Sequence, residues 1–299
     1  FDQLQIHDVV AWNALIAGYV RQEMVEEALN CFEQMQIHAI SPDAATFSCT
    51  LKACGVLRDV EKGAQICALI ERKRLWETSL PVGNAMIDMY VKCGFLEKAQ
   101  DVFHKLPVCN VISWTALISG YVQHEYMEEA LHCFCQMRLR GVSPDVVTYS
   151  CILQACGVVR DLDMGEEMYS EIKRKGMLEE DQVVGVAVID MYTKCGSLTK
   201  AHEVFEMLPI QNLVSWTTLI VGYVQHRHAE EGLNCFERMK IQGVSPDAVT
   251  FAYGLKACGS IGALDKGMEL HDDIVHRGMI ENHIVGNALI DMYAKCGMV

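Results

Sequence analysis

Ser113-Trp114-Thr115-Ala116-Leu117-Ile118-Ser119-Gly120-Tyr121-Val122-Gln123 has two near copies in the chain. Ala11-Trp12-Asn13-Ala14-Leu15-Ile16-Ala17-Gly18-Tyr19-Val20-Arg21 lies 102 residues earlier and Ser215-Trp216-Thr217-Thr218-Leu219-Ile220-Val221-Gly222-Tyr223-Val224-Gln225 lies 102 residues later. Ser41-Pro42-Asp43, Ser143-Pro144-Asp145 and Ser245-Pro246-Asp247 keep the same interval. A fixed period of this kind marks a repeat architecture, in which each unit buries its apolar face only against its neighbours.

The period subdivides into helical hairpins. Val25, Ala28, Leu29, Phe32 and Met35 form an apolar stripe at helical spacing, with Glu26, Glu27, Asn30, Glu33 and Gln34 on the opposite face. They predict the second helix of a first hairpin, whose first helix carries Trp12, Leu15, Ile16 and Tyr19 behind Asp8 as N-cap. Gly18 is expected where neighbouring backbones approach closely. The Ser-Pro-Asp turn ends this hairpin. A second is expected over 44–79, its first helix at Thr46–Gly55, and a third over 80–110, starting near Val82. Their lengths are 35, 36 and 31 residues. Short connections and the lack of any strand pattern predict one continuous all-α solenoid.

Composition excludes several classes. Of 299 residues 51% are apolar and only 6 are Pro, which rules out disorder. No apolar run approaches the roughly 18 residues a membrane span needs, so no membrane partner is expected. Fourteen Cys and a formal charge of −14 suggest a disulfide framework and argue against nucleic acid. Position changes the first suggestion. Cys31, Cys133 and Cys235 follow the period, as do Cys54, Cys156 and Cys258, and Cys93 and Cys195, with Cys296 one residue early. Thiols at one place in each unit are expected to pack under helix contacts, in a reducing interior. No C-x-x-C occurs, so neither a metal nor another cofactor is expected. The chain opens and closes in mid-pattern without an initiator Met, signal peptide or transit peptide, and is expected to be a piece of a longer array.

Val82-Gly83-Asn84-Ala85-Met86-Ile87-Asp88-Met89-Tyr90-Val91-Lys92-Cys93-Gly94, the Ser113–Gln123 phrase and Leu51-Lys52-Ala53-Cys54-Gly55 together resemble the S, P and L motifs of the plant PLS-type pentatricopeptide repeat (PPR) proteins. The resemblance covers essentially the whole chain. It implies a right-handed superhelical α-solenoid of helix-turn-helix hairpins, with the end of an S motif at 1–8 and a P motif at 9–43, L at 44–79 and S at 80–110. P, L and S then follow at 111–145, 146–181 and 182–212, then P at 213–247, L at 248–282 and a truncated S at 283–299. The tetratricopeptide solenoid, a protein-interaction fold, shares 102 as three times its own 34-residue repeat. It needs its Trp, Tyr and Ala signature in every 34 residues, whereas the recurring Trp here appears once per 102.

The resemblance implies sequence-specific binding of single-stranded RNA, one base per hairpin, through the fifth and last residues of each motif. Asn13 with Asp43 is the family's pairing for U, and Thr115 with Asp145 and Thr217 with Asp247 are pairings for G. Asn84 with Asn110 suggests a pyrimidine, C in preference to U. Val186 with Asn212, Ser48 with Ser79, Ser150 with Asp181, and Ala252 with Asn282 depart from the productive pairs, and no base is assigned to them. The expected order is U-?-Y-G-?-?-G-?-?, 5′ to 3′ along the chain.

By the same resemblance Val10, Ile112 and Val214 wedge between successive bases, the competing role being packing at a helix start. Arg21, Lys92, Lys194 and Lys295, each thirteenth in its motif, approach phosphates. Glu26-Glu27, Glu128-Glu129 and Glu230-Glu231 open second helices, where carboxylates complement the helix dipole, so the negative charge is expected on the outer wall and a modestly basic groove inside. Relatives of this layout often end in a zinc deaminase domain converting C to U, which needs H-x-E together with P-C-x-x-C. His228-Ala229-Glu230 is the one H-x-E here and reads as a helix start. The chain is therefore expected not to be an enzyme but the recognition part of an organellar RNA-editing protein, in mitochondrion or chloroplast. Splicing or stabilisation of organellar RNA is the alternative within the family, and L motifs are expected to dock organellar RNA-editing factor proteins.

Overall fold

The computed structural model describes residues 8–298. Among them every regular element is an α-helix: α1 (Val9–Arg21), α2 (Val25–Ile37), α3 (Ala44–Leu57), α4 (Val60–Arg72), α5 (Leu75–Thr78), α6 (Leu80–Lys92), α7 (Leu96–Lys105), α8 (Val111–Gln123), α9 (Met127–Leu139) and α10 (Val146–Val159). There follow α11 (Leu162–Arg174), α12 (Met177–Glu180), α13 (Gln182–Lys194), α14 (Leu198–Met207), α15 (Leu213–Gln225), α16 (Ala229–Ile241), α17 (Ala248–Ile261), α18 (Leu264–His276) and α19 (His283–Lys295). The motif tail expected at 1–8 lies, apart from Asp8, outside the described residues.

The contacts divide the chain into two units, Phe1–Thr148 and Tyr149–Val299. In the first, the leading helices of the hairpins pack side by side, α1 on α3, α3 on α6 and α6 on α8, while α2 and α7 lie against the leading helices that follow them. The second repeats this scheme with α13 on α15, α15 on α17 and α17 on α19, and with α14 and α16 against α15 and α17.

Local chemistry starts and stops these helices. Asp8 caps α1 by accepting from the Ala11 amide at 2.8 Å, as its position predicts. Asp43 and Asn110 build capping boxes at α3 and α8 with Thr46 and Ser113. After α6 and α13 the chain reverses through Gly94 and Gly196 at φ of +82° and +78°, the left-handed region where a Cβ is strained. Two four-residue helices, α5 and α12, have no counterpart in the sequence-based expectation. Each is a single turn between a trailing helix and the next leading one, too short to leave a periodic signal.

All five residues of the Val25–Met35 stripe are buried. Trp114 and Trp216 sit edge-on to Phe103 and Phe205, with ring centroids 4.6 and 4.4 Å apart. Cys54, Cys156 and Cys258 are fully buried and Cys133 and Cys235 nearly so, while Cys31, Cys93, Cys195 and Cys296 are half-buried. Burial pushes the Cys54 and Cys133 thiols up to about 12. All fourteen are free. Gly18 lies on α1, before which no leading helix is described, so the close approach expected there is judged at its counterparts Gly120 and Gly222. A Cβ would come within 2.6 Å of Val91 and 2.4 Å of Thr193, so what approaches is a side chain of the preceding leading helix rather than a backbone.

Candidate functional site

The second residue of each leading helix points away from the core. Val10, Ile112 and Val214 are 67%, 57% and 56% exposed. Packing at the helix start therefore does not account for them. Ala45, Pro81, Val147, Val183, Val249 and Ile284 occupy the same place in the other leading helices and are exposed as well. The six were legible in the sequence as the residue two places after each motif's final position.

One turn further along, the fifth residue of a motif meets the last, because the last residue is the N-cap of the next leading helix. The Asn13 amide donates to both carboxylate oxygens of Asp43, at 3.0 and 3.1 Å. The Thr115 hydroxyl lies 3.5 Å from Asp145 Oδ1. Between the two partners stands a hydroxyl that the sequence reading did not include. Thr46 donates to Asn13 Oδ1 at 2.5 Å, and Ser113 to Asn84 Oδ1 at 2.6 Å. Thr148 contacts Thr115 at 2.7 Å, and Thr250 contacts Thr217 at 2.8 Å. Each is the third residue of the following helix. The capping-box spacing, Asp or Asn and then Ser or Thr three residues on, was the available signal.

These contacts shape the electrostatics of the Asp43 carboxyl. Burial works to raise its pKa, but hydrogen bonds from the Thr46 amide, the Asn13 side chain and the Thr46 hydroxyl outweigh it and hold the group below the usual carboxylate range.

The pairs without an assigned base look different. Asn212 caps α15 through the Ser215 amide at 3.0 Å and donates to Gln182 at 2.8 Å, with the apolar Val186 at the fifth position. The Ser48 hydroxyl turns back to the Ala44 carbonyl at 2.8 Å, and Ser79 precedes α6 without a side-chain cap. Asp181 caps α13 at the Val183 amide, 2.7 Å away, and Asn282 caps α19 at the Ile284 amide, 3.0 Å away. Ser150 and Ala252 are half-buried on α10 and α17.

In the second unit a cavity of about 310 Å³ opens over one pair, and its lining includes Val214, Thr217, Asp247 and Val249, with Asp190 and Lys194 at its edge. Two exposed aliphatic residues and one acidic-polar pair thus border a single space, the arrangement that holds a flat heteroaromatic ring by its faces and reads it by its edge.

The expected phosphate contacts carry a feature the sequence reading passed over. Lys92, Lys194 and Lys295 each bond an Asp four residues earlier, Asp88, Asp190 and Asp291, at 2.7, 2.7 and 2.6 Å. Arg21 is exposed and donates to the Ala17 carbonyl at 3.3 Å. Three leading helices, α6, α13 and α19, thus end in local ion pairs rather than in a plain basic stripe. His228 precedes α16, and Glu230 and Glu231 fall in its first turn. Among the described residues no group of three or more His, Cys, Asp or Glu is placed to hold a metal, and no helix is long and apolar enough to cross a membrane.

Comparisons with known proteins bear on the family and the fold. A family model described as the PPR repeat family matches residues 7–55, 109–158 and 211–260, and one described as the PPR repeat matches 84–111, 147–177 and 186–211. A mitochondrial pentatricopeptide repeat-containing protein of Arabidopsis thaliana is 35% identical over 298 residues, which are 99% of this chain and 29% of that protein. A chloroplastic one from the same plant is 33% identical over 297 residues, 99% and 34% of the two chains. The chain spans about a third of the length of these relatives. Among solved structures, the pentatricopeptide repeat protein PPR10 in complex with an 18-nt psaJ RNA element matches with a TM-score of 0.79 at 19% identity, over 99% of this chain and 44% of that one. PPR10 from maize matches with a TM-score of 0.55 at 18% identity, over 98% and 47%. These likenesses establish a shared fold.

Proposed function

The chain belongs to the pentatricopeptide repeat family, and from that premise we propose that it binds single-stranded RNA in a sequence-specific manner, one base to a hairpin. The observation that carries this reading is the repeated geometry of exposed second residues beside a polar pair, seen most completely around Val214, Thr217, Asp247 and Val249. Apolar contact on the faces of a base contributes affinity without selectivity, while the fifth and last residues select by hydrogen bonds to its edge. The motif boundaries at 9–43, 44–79 and 80–110 and their successors define which residues pair. On that division Asn13 with Asp43 reads U, Asn84 with Asn110 reads a pyrimidine, and Thr115 with Asp145 and Thr217 with Asp247 each read G.

The relatives named mitochondrial and chloroplastic support an organellar RNA target. Within that setting the PLS-type layout favours target recognition for C-to-U editing, with the catalytic step on a separate domain or protein and editing-factor proteins docking at the L motifs. Selection of bound RNAs from a random pool tests the base assignment. Enrichment of G at the positions facing Thr115 and Thr217, three nucleotides apart, is the expected result. Equal binding of such RNAs and their G-to-A versions would overturn it.

A further inference from the structure

The hydroxyls between the fifth and last residues do more than cap helices. In the two G-assigned pairs either hydroxyl of the Thr–Thr contact could donate, and one order places a proton in every short contact. Thr148 places its single proton on the Asp145 carboxylate at 2.7 Å, and Thr250 does the same to Asp247 at 2.6 Å. A hydroxyl has one proton and two lone pairs, so Thr148 and Thr250 then act only as acceptors toward Thr115 and Thr217. The protons of Thr115 and Thr217 point into the cluster, and only their lone pairs remain for a ligand. Oδ2 of Asp145 and of Asp247 carries no hydrogen bond in the cluster and is a second acceptor.

The polarity reverses elsewhere. Thr46 accepts from the Asp43 amide at 3.1 Å, and its hydroxyl lies 2.5 Å from Asn13 Oδ1 against 3.0 Å from Asp43 Oδ1, so its proton goes to Asn13. The two contacts of Asn13 Nδ2 with the Asp43 oxygens can share one N–H, which leaves the other N–H as a donor beside the remaining carboxylate lone pairs. The Ser113 hydroxyl lies 2.6 Å from Asn84 Oδ1 against 3.1 Å from Asn110 Oδ1, so its proton goes to Asn84, while Asn110 Oδ1 accepts from the Ser113 amide at 3.1 Å. Each Asn oxygen then already holds one bond inside the cluster, and the N–H groups are the freer side of both amides. Where the fifth residue is Val186 the chain of bonds is broken, and Ser215 turns its hydroxyl to the Asn212 carbonyl at 2.9 Å.

We propose that Thr46, Ser113, Thr148 and Thr250 are positioning residues that set the hydrogen-bond polarity of the base-reading pairs. Two acceptors match the imino N–H and amino group of guanine, a donor beside an acceptor matches uracil, and two donors match the ring nitrogen and carbonyl of cytosine. The same Thr at the fifth position could otherwise donate and would accept adenine, whose ring nitrogen needs a donor. This inference rests on the RNA-binding reading and adds to it a residue that touches no base.

Thr148→Val tests it, since the shape is kept and the acceptor is lost, with Thr148→Ser as the conservative control. Binding of the whole chain is measured to oligonucleotides carrying G or A opposite Thr115, and separately G or A opposite Thr217. Thr148→Val is expected to lower the G-over-A preference opposite Thr115 by about fivefold or more, with the preference opposite Thr217 unchanged and with Thr148→Ser close to the parent chain. A circular-dichroism melt of each variant separates this from unfolding. A Thr148→Val chain that folds and keeps its full G preference overturns the relay while leaving RNA binding in place. A parent chain with no preference at either position overturns the base-reading itself and the relay with it.

Discussion

At Asp43 one carboxylate caps a helix, accepts from a side chain of the preceding hairpin and faces the proposed base site. Its depressed pKa links these roles to pH. A carboxyl whose folded pKa lies below its unfolded value contributes stability above the ordinary carboxylate range and loses it as pH falls through the folded value. Asp43→Asn keeps a capping side chain but removes the charge. Urea unfolding should therefore separate the two proteins at pH 7, with the parent more stable, and the gap should narrow as pH falls below the ordinary carboxylate range and through the folded value. A gap that stays constant through that acid range would mean that the charge is not what Thr46 and Asn13 stabilise. The proposed recognition pairs were legible at this scale because the period places a fifth and a last residue in every motif. Thr46, Ser113, Thr148 and Thr250 were not, because their partners lie 29 to 33 residues earlier in the chain and meet them only when hairpins stack.

At the scale of the helix, Gly120 and Gly222 occupy the same place in near-identical phrases, and each receives a side chain of the preceding leading helix. A Cβ at Gly120 would come within 2.6 Å of Val91 Cγ2, and one at Gly222 within 2.4 Å of Thr193 Cγ2. Gly222→Ala should destabilise the protein by about 1 to 3 kcal/mol through overpacking. A Gly222→Ala chain as stable as the parent in a denaturant melt would refute this account. Similar sockets recur where Gly63 and Gly165 receive Met89 and Met191, whose sulfurs would stand 2.5 Å from a Cβ. The helices themselves were legible from the apolar stripe and the caps. Helix ends shifted by two residues at α3 and α6, where Ala44 and Leu80 rather than Thr46 and Val82 open the helix, because a first turn has few buried side chains to mark it.

For the whole chain the formal charge of −14 is the quantity to explain. Glu26, Glu27, Glu128, Glu129, Glu230 and Glu231 are exposed in the first turns of trailing helices, consistent with the helix dipole. The lysines that end the leading helices are neutralised by Asp88, Asp190 and Asp291. Such exposed pairs contribute about 0.3–0.5 kcal/mol each and open readily, so they can yield to a phosphate, but with little electrostatic gain. With Arg21 there are four candidate phosphate contacts, and at roughly 0.7 released counterions per contact for a single strand the salt dependence should be shallow. A plot of log affinity against log salt is expected to have a slope no steeper than about −3. A steeper slope would place the phosphate contacts on other cations. Asp190→Asn, which frees Lys194, should raise affinity at low salt.

The sequence by itself determined the period, the class of fold, the caps, and the residues at the fifth and last place of each motif, because all of these depend on spacing along the chain. Only the tertiary structure decided which glycine is a socket and which hydroxyl stands between the fifth and last residues of a pair. Those depend on side chains about thirty residues apart being brought within 3 Å, a distance that stacking sets and that no local pattern encodes.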